Sequence, residues 1–164
     1  MPDGELAARL GETVVTGGDA EKAARQVLDD ARVGFLGIHD ADGPYVLPVS
    51  FAYDGEVVHL HGGPGKKAAA LASDARVCLA VSDDPKLILA NDPCSDNFRY
   101  RTVLIYGQLL EVTDGAVKET GLRAIITKYH PERATAPLRP ETLAKTLVYR
   151  MEIRAMTYRC YPDD

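Results

Sequence analysis

Cysteine is scarce in this chain of 164 residues: Cys78, Cys94 and Cys160 are its only three. They are odd in number, widely spaced and form no Cys-x-x-Cys pair, so neither a disulfide framework nor a structural zinc site is indicated. Cys78 lies in an apolar run and reads as a buried thiol. Long hydrophobic runs are missing too. No stretch approaches the length of a membrane span, and the first residues lack the basic-then-apolar pattern of a signal peptide. A reducing cytoplasm and no membrane partner are therefore expected. Positive charge is in deficit: 19 Lys and Arg against 24 Asp and Glu leave a formal net charge of -5. That balance argues against a general nucleic-acid binder, although a basic pocket can sit on an acidic protein. Neither an internal repeat nor a low-complexity tract is present.

What is there suits one globular domain. Apolar residues make up 46% and charged residues 26% of the chain, enough for a core of ordinary size. Residues 1–18 read as an N-terminal arm, with Leu6 and Leu10 ahead of the Gly17-Gly18 break, that docks on a partner subunit; residues 19–164 read as the domain. Asp19 is placed to cap a helix from Ala20 to about Ala31, whose stripe of Ala23, Ala24, Val27, Leu28 and Ala31 recurs at helical spacing. From Val33 the period shortens. Residues 33–39, 45–53 and 56–61 read as three strands joined by the turn clusters at 40–44 and Asp54-Gly55, an antiparallel meander. Pro48, inside the second of these, cannot donate to a ladder, so that strand has an edge, a bulge or a ligand wall there.

The stretch from 56 to 81 organises the rest: strand, glycine-rich turn, short helix, strand. Its turn, His61-Gly62-Gly63-Pro64-Gly65-Lys66-Lys67, puts two lysines at the start of the helix that runs on through Ala68, Ala69, Ala70 and Leu71. A helix start offers unpaired N–H groups and the positive end of the dipole, which suits a phosphate. Two ammonium groups there oppose the dipole unless an anion joins them. The turn is therefore either a solvated basic connection or an anion site; it is not a Walker A loop, because the spacing and the following Ser/Thr are missing. Period-two alternation places Val57, His59 and His61 on one face and Val58 and Leu60 on the other. A third ligand at matching spacing is absent, so no metal site is expected. His61, beside the glycine turn, is the functional candidate, and His59 is scaffold.

Beyond the helix, 76–82 and 86–90 read as strands, 91–97 as a polar loop, and 103–112 as the longest strand, with a bulge or close packing at Gly107. The cluster Phe98-Arg99-Tyr100-Arg101-Thr102 precedes that strand. In isolation it resembles a nucleic-acid stacking platform, but the negative net charge and the lack of further basic aromatic repeats weigh against that. Thr113 or Asp114 caps a helix over about 116–130, which Pro131 stops. The Pro-rich stretch 132–141 reads as a surface loop, with a lid or a dimer-spanning arm as the alternative. Residues 147–161 alternate as a last, half-exposed strand. About seven antiparallel strands with two or three helices point to a mainly β fold, a small closed or partly open β-barrel flanked by helices.

Three segments, Gly43-Pro-Tyr-Val-Leu-Pro-Val-Ser-Phe-Ala-Tyr53, the stretch 58–81 containing His-Gly-Gly-Pro-Gly-Lys-Lys, and 93–112 containing Tyr100-Arg101-Thr102-Val103, in this order and spacing, resemble the pyridoxamine 5'-phosphate oxidase-like flavin-binding proteins. The similarity is nearest to their nitroimidazole-resistance (Nim-type) branch and covers roughly 33–130. The resemblance implies a six-stranded antiparallel split β-barrel and a homodimer with FMN in a groove between subunits. It implies that Lys66 and Lys67 meet the cofactor phosphate with Gly65 nearby. The strand Val46, Leu47, Pro48, Val49, Ser50 is implied to run along the isoalloxazine. Tyr100, Arg101 and Thr102 are implied to reach the cofactor from the same or the other subunit. His61 matches the histidine implicated in activity in Nim-type proteins. The chain departs from the wider family in carrying Gly65-Lys66-Lys67 where many members have Ser-Arg-Lys, which replaces a guanidinium fork with a point charge. The C-terminal arginine- and histidine-bearing motif of true pyridoxamine phosphate oxidases is not evident. FAD, a deazaflavin or haem stand as alternative cofactors within the family.

The expected function is an FMN-dependent oxidoreductase acting on a small, planar, electron-poor organic substrate, either nitroimidazole reductase-like or related to pyridoxamine phosphate oxidase. The flavin would carry the redox chemistry, Arg101 would stabilise negative charge on the reduced ring, and His61 would orient substrate or pass a proton. The alternatives are a non-catalytic flavin or haem binder, serving as store, sensor or sink, and a dimeric interaction domain with an empty barrel.

Overall fold

The computed structural model describes residues 13–83 and 85–161. In chain order the elements are β1 (Thr13–Val14), α1 (Gly18–Asp30), β2 (Gly34–Asp40), β3 (Gly43–Val49), β4 (Phe51–Tyr53), β5 (Val57–Gly62), α2 (Lys66–Ser73), β6 (Arg76–Ser82), β7 (Lys86–Ile88), β8 (Asn97–Glu111), α3 (Gly115–Tyr129), α4 (Pro140–Lys145) and β9 (Leu147–Tyr161). Single 3-10 turns fall at Pro93–Ser95 and Pro131–Arg133. All strand pairs are antiparallel, in the order β3-β2-β6-β8-β9-β5-β4, with β1 beside β9 and β7 beside β8. Most of the predicted arm, residues 1–12, lies outside the described residues; its end pairs Thr13 with Tyr158 and Val14 with Thr157.

The two outer strands of this curled sheet are successive pieces of one chain segment. Residues 45–53, predicted as a single strand, divide at Ser50: β3 pairs with β2, and β4 pairs with β5 on the far side. The sheet thus closes on itself through a covalent link instead of a ladder. Counting β3 and β4 as one segment, six segments build the barrel wall, as the split-barrel fold requires. The strip carrying Leu47, Leu36, Leu79, Ile105 and Met156, paired in register from strand to strand, faces the core. Full burial of such side chains contributes about 1.5–3 kcal/mol each.

The longest strands, β8 and β9, pair along most of their length, and the register shifts between Tyr106 and Gly107. A Cβ at Gly107 would collide with the Glu152 carbonyl, so only glycine permits the close approach that the bulge makes. The last strand is more central than its alternation suggested. It lies between β8 and β5, with Val148, Tyr149 and Met151 all buried. The β8 strand starts earlier than expected, at Asn97, because β7 pairs with its first residues.

Helix α1 buries Ala24, Val27 and Leu28 and packs against β4, β6, β8 and β9. Its cap is Gly17, at φ 132°, and not Asp19, which lies in the first turn with Lys22 3.3 Å away. Helix α3 begins as read, with the Asp114 carboxylate accepting the Val117 N–H at 3.0 Å. It covers β4, β5 and β9. The predicted loop at 132–141 includes a 3-10 turn and leads into α4, and Arg123 donates to the carbonyls of Ala134 and Ala136 at 2.9 and 3.1 Å. Among the described residues no helix is long and apolar enough to cross a membrane.

Candidate functional site

Gly65, at φ 145°, stops the approach to α2 and leaves the helix start without a side-chain cap. The first N–H groups of this helix are therefore open to a ligand. The two lysines that follow have different fates. The Lys66 ammonium lies 3.1 Å from the Asp40 carboxylate and 3.3 Å from that of Asp42, and 5.3 Å from the Tyr45 ring centroid. Hydrogen bonds to Asp40 and Asp42 push its pKa up. This lysine ties α2 to the β2–β3 turn.

The Lys67 ammonium folds inward instead. It donates to the His61 carbonyl at 3.2 Å and lies 5.4 Å from the centroid of the Tyr149 ring. Among the described residues no carboxylate stands within ion-pair distance of it, and burial lowers its pKa. Tyr149 is 2% exposed, and its hydroxyl is buried without a hydrogen-bond partner. Such an orphan costs about 1–3 kcal/mol in a folded protein. The His61 imidazole beside them is shifted to lower pKa, first by burial and then by the Lys67 charge. A cation without a carboxylate and a hydroxyl without a partner thus stand near this turn, among the described residues. His59, by contrast, is 5% exposed. Its Nε2 lies 2.7 Å from the Asp54 carboxylate, and a Cβ on Gly121 of α3 would come to 3.0 Å from its Nδ1, so it is packed scaffold.

β3 carries the second part of the site. Its inner neighbour is β2, and among the described residues its outer edge has no strand partner. Pro44 and Pro48 share a parity along it, and proline is tolerated in a strand where the missing N–H faces off the ladder. Val46 lies between them at the same parity, so its backbone groups face the open edge too. Its side chain is 63% exposed, whereas Leu47 packs on the core and Val49 is buried. The edge starts near Lys66, at Tyr45, and reaches Ser50 after about 16 Å of extended chain.

At its far end β3 meets a groove. Pro48 is registered with Phe35, and Phe35, Val33, Ser82 and Arg101 line a cavity of about 610 Å³. Arg101 does not point free into it. Its Nε donates to Asp83 Oδ2 at 2.5 Å, its backbone N–H donates to Asp83 Oδ1 at 2.9 Å, and Asp30 stands 3.9 Å from its Nη2. The hydrogen bond to Asp83 raises its pKa. Thr102 lies next to Ser82, and Tyr100 stacks on Tyr161 with centroids 5.8 Å apart. Of the residues expected at one cofactor, the structure brings Gly65, Lys66, Lys67 and His61 together at one end. Tyr100, Arg101 and Thr102 stand at the other, since His61 is registered with Val148 at the start of β9 and Arg101 with Cys160 at its end. The free edge from Val46 to Ser50 runs between the two groups.

Sequence reasoning missed Tyr149, Asp40, Asp42 and Asp83. Tyr149 was visible only as one member of an alternating strand, and the carboxylates meet their cations across 18 to 26 residues of sequence separation, as Asp83 with Arg101 and Asp40 with Lys66 do.

A curled antiparallel sheet, closed by one shared segment and bearing a basic helix start beside an open strand edge, defines a split-barrel protein. The chain belongs to the pyridoxamine 5'-phosphate oxidase family, whose model matches residues 20–160. No curated protein matches it in sequence. Among solved structures it is similar to a candidate 5-nitroimidazole antibiotic resistance protein from Bacteroides thetaiotaomicron. The two are 25% identical over 90% of this chain and 86% of that one, with a TM-score of 0.72. An FAD- and haem-binding protein from Mycobacterium smegmatis is 24% identical over 90% and 75% of the two chains, with a TM-score of 0.77. A flavocytochrome from Azotobacter vinelandii is 23% identical over 87% and 67%, with a TM-score of 0.76. The last two likenesses concern the fold.

Proposed function

We propose that this protein binds FMN and acts as a flavin-dependent oxidoreductase on a small, flat, electron-poor organic molecule. The observation that carries the reading is Lys67: a half-buried ammonium with no carboxylate partner among the described residues, over the ring of a tyrosine whose hydroxyl is orphaned, at a helix start beside the open edge of β3. These residues fit a phosphate at the turn and a planar ring along the edge.

Lys67 and the first N–H groups of α2 would hold the phosphate, while Lys66 positions the helix through Asp40 and Asp42. Backbone groups of Val46, Pro48 and Ser50 would meet the polar rim of the ring. When bound, a flavin supplies the hydride and electron transfer that no side chain of this chain can perform. His61, whose pKa is lowered first by burial and then by the Lys67 charge, would orient substrate or pass a proton. The exposed apolar residues Val33, Phe35 and Val46 lie around the same edge and groove. A second copy of the chain covering them would exclude water from the site, so the working form is a homodimer with the cofactor between subunits.

The test is direct. Purified protein should be yellow or should take up added FMN, with flavin absorbance that stays with it on gel filtration at dimer mass. Colourless protein that leaves FMN free would overturn the reading. A second reading, a non-catalytic flavin or haem binder, is favoured by the haem named for the Mycobacterium smegmatis protein of the same fold. It is separated from the first by turnover: loaded protein with reduced nicotinamide and a nitroimidazole or quinone consumes the nicotinamide only if it is an oxidoreductase.

A further inference from the structure

The groove at the far end of the β3 edge is not needed to hold a cofactor phosphate, yet it is built as a binding pocket. Its volume of about 610 Å³ lies within the usual range for small-molecule sites, about 300–1,000 Å³. Phe35, Val33 and Pro85 give it apolar walls, and Ser82, Arg32 and, from β7, Lys86 give it polar groups. The two carboxylates on its wall are already engaged. Asp83 holds the side chain and backbone of Arg101, and Asp30 accepts from Gln26 at 2.9 Å while facing Arg101 Nη2. Arg101 is thereby part of the wall and is neutralised within it.

Arg32 is different. Its guanidinium rests over the Tyr129 ring, 6.0 Å from the centroid, and among the described residues no carboxylate lies within ion-pair distance of it. Its backbone is fixed, because the Tyr129 hydroxyl donates to the Arg32 carbonyl at 2.9 Å and accepts the Phe51 N–H at 3.0 Å. Lys128 adds a second cation nearby: its ammonium donates to the Leu28 carbonyl at 2.6 Å. Arg32 opposes the charge on Lys128, while Asp29 favours it. An anion beside Arg32 relieves that repulsion.

We propose that this groove is the substrate pocket and that it takes a planar aromatic molecule bearing one carboxylate, with the ring against Phe35 and the carboxylate on Arg32. The proposal rests on the flavin reading for its chemistry, since the groove adjoins the end of the edge where the flavin ring would lie. Binding at the groove stands apart from flavin loading. A planar guanidinium can pair with a carboxylate through two parallel hydrogen bonds, which a neutral alcohol cannot reproduce.

The experiment is calorimetric titration of full-length protein with 4-nitrobenzoate and, in parallel, with neutral 4-nitrobenzyl alcohol, before and after saturation with FMN. The carboxylate should bind at least about tenfold more tightly than the alcohol. Arg32→Gln should abolish that preference without changing the melting temperature, and Arg32→Lys should restore part of it. Equal binding of the two probes, wild-type preference in Arg32→Gln, or no heat from either probe would each overturn the proposal. Protein that never loads FMN but keeps the Arg32-dependent preference would retain the groove and remove the flavin. Protein that loads FMN and shows no preference would do the reverse.

Discussion

Lys67 and Arg101 are both cations that the family resemblance assigns to one cofactor, yet their surroundings differ. Arg101 is gripped through Nε and its own backbone N–H by Asp83, with Asp30 behind it. Lys67 has a carbonyl and the aromatic face of Tyr149, whose buried hydroxyl lacks a partner. A cation matched by its own carboxylate braces the fold, and its field is largely cancelled at short range. A desolvated cation left with neutral neighbours gains more from an arriving anion, because the cost of burial has already been met in the fold. Lys66, beside Lys67 in sequence, belongs with Arg101 in this respect.

The largest effect should come from disturbing the strands that link the two ends. Gly107→Ala drives a Cβ into the Glu152 carbonyl in the central ladder and should cost about 3 kcal/mol or more. Urea unfolding followed by circular dichroism measures it, and an unchanged midpoint would mean that the bulge is not needed.

Next comes the contrast between the lysines. Lys67→Ala should weaken FMN binding about a hundredfold, whereas Lys66→Ala should change it only a few-fold. Titration followed by quenching of flavin fluorescence reads both, and equal losses would erase the distinction. Asp83→Asn tests the braced end. It leaves Arg101 against a neutral partner and should lower the melting temperature by about 4–8 °C while FMN affinity falls less than in Lys67→Ala.

Smaller effects lie in the pH dependence. Burial pushes the Lys128 amine down to about 8 from its ordinary 10.5. Between those values the unfolded chain holds a proton that the fold has released, so this group's contribution to stability rises with pH there. The wild type should therefore gain stability relative to Lys128→Met from pH 8 to 10.5, and parallel curves would contradict the assignment. The smallest effect concerns His61, whose pKa lies below 6.5 through burial and then through Lys67. Its contribution is complete above 6.5 and declines as pH falls through that value. In Lys67→Ala the midpoint of the His61 ring resonances should move part of the way back up; an unmoved midpoint would separate the two groups.

Elements governed by local pattern were legible in the sequence. The strand Arg76–Ser82 follows its alternation, the strand Leu147–Tyr161 keeps its predicted bounds although both Val148 and Tyr149 are buried, Gly107 marks a real bulge, and Asp114 caps α3 as its side-chain chemistry dictates. The basic turn was legible as an anion candidate because helix starts and ammonium groups act at short range. What escaped depends on contacts between distant segments. Nothing in residues 45–53 shows that Ser50 divides a strand between two sheet ends, since both halves share one extended, apolar pattern. Likewise, the lysine pair looks uniform until Asp40 and Asp42 come round to one of them. The position of Tyr149 in an alternating strand indicates its face but not the isolation of its hydroxyl.

The division at Ser50 has a mechanical consequence. Because a side chain changes face with every residue along an extended chain, one residue inserted after Ser50 would turn Phe51, now fully buried, toward the outside or force the register opposite Leu60 to slip. The ladder with β5 therefore acts as an anchor for the strand on which the ring would rest. That strand cannot slide to suit a different guest without unzipping its neighbour, so adaptation to new ligands falls to the side chains along the rim.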